Sequence, residues 1–207
     1  MLTLFTAPGT CAFATHIALA EAGADYQIRR VKFADNEQTS EDYLAINPLG
    51  RVPALVTPDG VLTETPALLV YVAQTHPTAK LAPVSDPLAF AQLQRFNSYL
   101  ASTVHVAHAH KMRGYRWSDD PAAHASMKAK VPETMLAAFS LVEDALEGPW
   151  VMGEQFTVAD GYLYTLGRWL EPDGVDMAKL PKVLAHRERM NERPAVQRAL
   201  AEEKPPR

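Results

Sequence analysis

The spacing of apolar residues changes period repeatedly over the first 76 positions, then settles into long helical stretches. Leu2–Phe5 reads as a short buried strand. Phe13–Ala22 (FATHIALAEA) has apolar residues at helical spacing, with Gly23 placed to end the helix. Tyr26–Val31 alternates as a strand does, and a short helix opened by Ser40 runs to Ile46. The runs ALV and GVLT flank a turn containing Asp59-Gly60, which predicts a hairpin. Thr65, Pro66 and the run ALLVYVA predict a helix capped by Thr65, with proline at its first position. The order βαβ-α-ββα describes a small α/β sandwich with a hairpin on one edge.

Residues 77–87 (PTAKLAPVSDP) hold three prolines and no periodicity, so they read as a linker. Everything beyond is helical: Leu88 to Met112 as one long helix, then Pro121–Leu146, Val158–Leu170, Pro181–Asn191 and Pro194–Glu202. The closing EEKPPR reads as a frayed tail. The expected organisation is therefore α/β + all-α, with domains at 1–76 and 88–207.

Composition narrows the class of protein. A formal net charge of -4 over 207 residues argues against a nucleic-acid binder, which is usually basic. A single cysteine excludes an internal disulfide framework and fits a reducing compartment. No apolar run approaches the ~20 residues that span a bilayer. Pro8-Gly9 comes too early for the apolar core of a signal peptide, so a cytoplasmic protein without membrane or nucleic-acid partners is expected.

That cysteine, Cys11, follows the strand LTLF and the turn TAPGT, at the start of a helix. Unpaired N–H groups and the helix dipole at such a place favour a thiolate; the competing reading is a small buried hydrophobe. On the long helix, Ser98, Ala101, His105 and His108 share one face, distinct from the stripe Leu93, Phe96, Leu100, Val104 that packs inside. Of His105, His108 and His110 only the first two share a face, and no acidic or thiol ligand is near in sequence, so no metal site is expected. His16 reads as structural. Met112, Tyr115 and Trp117 read either as walls of an apolar pocket or as core. FTVAD (Phe156–Asp160) is an N-capping box assigned to stability, whose hydrophobic staple is missing because Gly161 stands at the partner position.

The stretches APGTCAFATHIALAEAG, DYLAINPLGRVPAL, TETPALLVYVA, SYLASTVH and EQFTVADGYLYT occur in the order and spacing of one family. With them the chain resembles, over essentially its whole length, the cytosolic glutathione S-transferases, most closely the bacterial beta class. The resemblance implies a thioredoxin-like domain that binds glutathione, followed by an all-helical domain. It implies a cis Val52-Pro53 bond, which turns the Val52 N–H and C=O toward the backbone of a bound peptide. It places Glu64 beside the ammonium and Thr65 beside the carboxylate of glutathione's γ-glutamyl end. Phe5 has no hydroxyl where other classes use tyrosine, leaving Thr10 and Cys11, of which the beta class implies Cys11 as catalytic. His105 matches a histidine that lines the site from the second domain, and Ser98 falls where an asparagine frequently contacts glutathione. Ala12 and Val106 depart from a common serine and lysine, and Ala14 stands where a resolving cysteine would be. The implied function is conjugation of glutathione, as co-substrate, to a small hydrophobic electrophile, or peroxide reduction, in a homodimer. The alternatives are a glutaredoxin-like thiol transferase working through a Cys11–glutathione mixed disulfide, and a non-catalytic dimeric binding or stress-response module.

Overall fold

The short apolar runs near the amino terminus become the centre of a mixed sheet. In the computed structural model, which describes residues 1–203, β1 (Leu2–Thr6) lies parallel to β2 (Tyr26–Arg30) and antiparallel to β3 (Ala54–Thr57). The hairpin partner β4 (Gly60–Thr63) closes the order β2-β1-β3-β4, with Leu4 opposite both Ile28 and Leu55. The predicted βαβ-α-ββα order holds.

Helix α1 (Ala12–Glu21) is buried at every residue from Ala12 to Ala20, because the sheet covers one side and the helical domain the other. It ends as Gly23 predicts: Gly23 has φ 62°, its N–H bonds Ala20 O, and Ala24 N–H reaches Leu19 O. Helix α2 (Glu41–Leu44) is capped by Ser40, whose Oγ accepts from Tyr43 N at 3.2 Å. In α3 (Thr65–Thr75) the expected cap shifts by one residue. Glu64 holds the cap position with a left-handed φ of 69°, Thr65 is already helical, and Pro66 follows it.

The predicted linker is not loose. Leu81 is 3% exposed, its carbonyl accepts from Val158 N at 2.9 Å, and Lys80 O accepts from Gln155 Nε2 at 3.0 Å. Beyond it, the expected single helix is broken: α4 (Pro87–Tyr99) passes through a π-helical turn at Leu100–Val104 into α5 (His105–Ala109). A π turn takes an extra residue, so the faces before and after it are offset by about 100° relative to a straight helix. Ser98 is consequently exposed while Ala101, His105 and His108 face the domain junction.

Helices α6 (Pro121–Ala145), α7 (Val158–Gly167), α8 (Pro181–Glu192) and α9 (Pro194–Glu203) complete the domain; α7 ends three residues earlier than expected, and the chain continues in turns. At the head of α7, fully buried Asp160 accepts from Thr157 N at 2.7 Å, Val151 N at 2.7 Å and His186 Nε2 at 3.0 Å. The missing staple is replaced: Phe156 packs edge-on against Trp150, and the Arg193 guanidinium lies 3.8 Å over its ring. Gly161 serves another purpose, since a Cβ there would sit 3.2 Å from Ile17 Cγ2; its absence lets α7 approach α1. Phe13 and Ile17 of α1 share one core cluster with Tyr164, Met190 and Val196, so the two domains fold onto each other.

The tail reading needs correction for its first two residues. Glu202 and Glu203 belong to α9, and Glu202 Oε2 holds His16 Nε2 at 2.7 Å and Tyr26 Oη at 3.0 Å, which gives His16 its structural role. The remainder of that stretch, 204–207, lies outside the described residues. Among the described residues no helix is long and apolar enough to cross a membrane.

Candidate active site

A cleft of about 810 Å³ separates the β1–α1 turn and the loop before β3 from the face of α5 and the turn that follows it. Thr10, Cys11, Val52 and Pro53 line it from the sheet side, and Glu64 and Thr65 close its end. His105 lines it from the helical side; Ser98 does not line it, a consequence of the π turn.

Cys11 occupies the cap of α1 with helical backbone angles (φ -61°, ψ -17°), and is 8% exposed. Its Sγ–H donates to Val52 O at 3.6 Å. Burial pushes the thiol's pKa up, against the Thr65 hydroxyl and the Arg113 guanidinium, which pull it down. The expectation of a thiolate is therefore overturned. The helix end offers little to an anion because the N–H groups of Phe13 and Ala14 turn back onto Thr10 O and Cys11 O, at 3.2 and 3.1 Å. At neutral pH Cys11 is a hydrogen-bond donor. Thr10 has spent its own hydroxyl proton on Ala7 O at 2.7 Å.

The Val52-Pro53 bond is cis, as the resemblance implies. The loop leading to it is pinned from behind: Arg51 O accepts from Tyr43 Oη at 2.6 Å and from Asn47 Nδ2 at 2.7 Å, and both side chains' residues are buried. Val52 O already serves the thiol, while its N–H has no protein partner among the described residues. At the next corner Glu64 adopts φ 69° and ψ 115°, a conformation costing a non-glycine residue about 1–3 kcal/mol. That backbone leaves its carboxylate exposed at the cleft edge beside buried Thr65.

On the opposite side His105 packs edge-on against Trp169, with ring centres 5.2 Å apart. Burial, then the nearby Arg113 and His108, bring its pKa down to about 4, so it is a neutral imidazole. Trp169 also stacks on His108 at 4.0 Å and donates its indole N–H to Gly9 O at 3.0 Å. The N–H of the same Gly9 donates to Glu203 Oε1 at 2.9 Å, and Arg168 holds the other carboxylate oxygen at 2.8 Å. The turn that carries Thr10 and Cys11 is thus held from both sides by the helical domain.

Sequence reasoning missed Arg113, Trp169, Glu203 and Tyr162, whose fully buried phenol lines the cleft near Cys11. The signal for Arg113 is visible in KMRGYRW, where two arginines flank Tyr115 directly after the long helix. Of the residues there read as pocket wall or core, Tyr115 and Trp117 line the cleft, whereas Met112 is 73% exposed and does not. His108 Nδ1 bonds Asp173 at 2.6 Å and His110 packs on Trp117. Among the described residues no group of three or more His, Cys, Asp or Glu is placed to hold a metal ion.

A four-stranded mixed sheet with a cis-proline loop beside its helix-capping thiol, joined to an all-helical domain across a cleft, defines a thioredoxin-like transferase architecture. Residues 1–74 match the profile of the glutathione S-transferase N-terminal domain, and residues 62–194 that of its C-terminal domain. The chain belongs to the glutathione S-transferase family. It is 34% identical to glutathione S-transferase GstA of Escherichia coli O157:H7 over 98% of both chains. A solved Sulfitobacter glutathione transferase homologue with bound glutathione is 51% identical, covers 98% of both chains and superposes with a TM-score of 0.95. A beta-class glutathione S-transferase of Sphingomonas chungbukensis is 34% identical over 97% of this chain and 98% of its own, with a TM-score of 0.85.

Proposed function

We propose that the protein binds glutathione along the sheet side of the cleft and conjugates it to an electrophile admitted from the helical side. The Val52 backbone pairs with the tripeptide, and Glu64 and Thr65 take the two charges of its γ-glutamyl end. The observation that carries the reading is the Cys11 thiol, kept protonated by burial and within hydrogen-bond reach of Val52 O. Released from that carbonyl, it donates to the glutathione sulfur and, with the Arg113 charge, favours the bound thiolate. Glutathione's thiol proton leaves to solvent. The sulfur lone pair forms the new S–C bond, and the leaving group departs with the electron pair of the bond it breaks. Neutral His105 lines the electrophile's side, where it donates or accepts a hydrogen bond without adding charge.

The finer assignments belong to the same reading: a glutathione-binding domain at 1–76, a linker at 77–87 and a helical domain at 88–207, working as a cytoplasmic homodimer. Exposed Val61, Leu62 and Leu88 supply apolar surface for a second copy. A protonated, buried thiol is a poor nucleophile toward a disulfide, which favours conjugation over mixed-disulfide exchange.

Calorimetry with reduced glutathione is the decisive experiment, and saturable binding is expected. Absence of heat at millimolar ligand leaves only the non-catalytic module. Cys11→Ala is expected to lower conjugation about tenfold, roughly the value of one charge-assisted hydrogen bond. Stoichiometric mass addition at Cys11 within minutes in oxidised glutathione, with conjugation intact in Cys11→Ala, would transfer the cysteine to thiol exchange.

A further inference from the structure

The cleft of this acidic protein carries the opposite sign of charge. Its lining includes three guanidinium groups, Arg51, Arg113 and Arg116, and one carboxylate, Glu64. Elsewhere five arginines are matched, Arg29 with Glu37, Arg168 with Glu203, Arg187 with Glu171, Arg193 with Glu21 and Arg198 with Glu202, while Arg95 and Arg189 carry no ion pair among the described residues. Among the described residues none of the three cleft arginines has an ion-pair partner. Arg113 is also half-buried, and burial followed by the neighbouring Arg116 weakens its hold on its proton. Like charges gathered in a concave, partly desolvated wall raise the local concentration of anions.

The placement of two of these arginines is built into the backbone. Arg113 caps a 3-10 turn, Gly114–Arg116, closed by Arg116 N–H to Arg113 O at 3.0 Å. Arg113 and Arg116, at the two ends of this turn, both line the cleft, close enough that the charge of Arg116 acts on Arg113. Buried Gly114 fixes the turn against α6: a Cβ there would sit 3.0 Å from His124 Cδ2 and 3.2 Å from its Cα. Tyr115 and Trp117, 62% and 47% exposed, border the same part of the cleft and offer flat apolar surface beside the charges.

We propose that the electrophile is an aromatic acid, with its carboxylate held by Arg113 and Arg116 and its ring covered by Tyr115 and Trp117. This rests on the transferase reading above and narrows its second substrate from any hydrophobic electrophile to an anionic one. Two guanidinium forks lining one cleft match a planar carboxylate, which a neutral ring cannot exploit.

The test compares two aryl halides that react by the same displacement, neutral chlorodinitrobenzene and anionic chloronitrobenzoate. Arg113→Gln and Arg116→Gln are each expected to lower the ratio of kcat/KM for the anionic over the neutral substrate about tenfold, the loss of one strong charged contact. In the wild type the same ratio falls as salt is added. An unchanged ratio in both variants overturns the proposal, as does a rise in KM for glutathione without a change in the ratio, which would give these arginines to the tripeptide's own carboxylate. Arg113→Lys, which keeps the charge, is expected to restore part of the ratio. Quenching of tryptophan fluorescence by chloronitrobenzoate without glutathione separates the two readings. Quenching that weakens in the arginine variants, in a protein that turns over neither substrate, keeps the arginine pair as an aromatic-acid site but overturns both the transferase reading and the assignment of that acid as the electrophile.

Discussion

On the sheet side of the cleft the lining groups are mostly backbone atoms, one thiol and the Glu64–Thr65 corner, beside a cis-proline loop that Tyr43 and Asn47 pin from behind. On the helical side they are long side chains, His105, Arg113 and Arg116, set on a helix end and a short turn. The first wall suits a ligand that never changes, since backbone amides recognise another backbone and leave little to vary. The second suits a ligand that differs from one protein to the next, because each side chain there can be replaced without disturbing a main-chain bond. The contrast also separates what should break folding from what should break selectivity.

The largest expected effect lies behind the helical wall. Asp160→Ala strands Thr157 N, Val151 N and His186 in a fully buried place and should cost about 3–5 kcal/mol in thermal or denaturant unfolding. Glutathione affinity per folded molecule should be unchanged, because the sheet wall is untouched; weaker affinity at full stability would mean the two walls are not separable.

Acid should act next. His105 titrates near pH 4 when folded and near 6.5 when unfolded, so the unfolded chain binds more protons between those values. Stability is fully present above pH 6.5 and declines as pH falls toward 4, by on the order of 3 kcal/mol, with burial of His16 acting in the same direction. Denaturant titrations at several pH values should show this slope, and His105→Gln should flatten it.

A smaller effect tests whether the helical wall positions the other. Trp169→Phe removes the donor to Gly9 O, and Glu203→Gln weakens the acceptor of Gly9 N–H; each should lower kcat/KM about fivefold, near the net value of one hydrogen bond. If activity falls only in proportion to folded protein, the clamp has no part in the reaction. The smallest effect belongs to Ser98→Ala, expected to stay within about 0.5 kcal/mol of wild type, as exposed substitutions do. A raised KM for glutathione in that variant would show that a second copy of the chain carries Ser98 to the cleft.

The sheet wall was legible in the sequence because its devices are local: Gly23 ends a helix, Asp59-Gly60 turns a hairpin, and Val52-Pro53 lies within a quotable motif. The helical wall was less so. Nothing in LASTV marks a π turn, which depends on how the helix packs, and one extra residue there removed Ser98 from the predicted face. The charge state of Cys11 failed for a different reason. Position at a helix start argues for a thiolate, but the opposing desolvation depends on what covers the thiol, and that comes from residues far along the chain. Glu202 and Glu203 looked like a solvated tail because their partners, His16, Tyr26 and Gly9, lie 176 to 194 positions earlier.

The bond between Glu203 and Gly9 sets an order of events during synthesis. The thioredoxin-like unit leaves the ribosome well before α9 does, so its sulfur-bearing turn spends that interval without its distant anchor. The turn that bears residue 11 therefore gains its most distant hydrogen-bond partner last, with the arrival of residue 203.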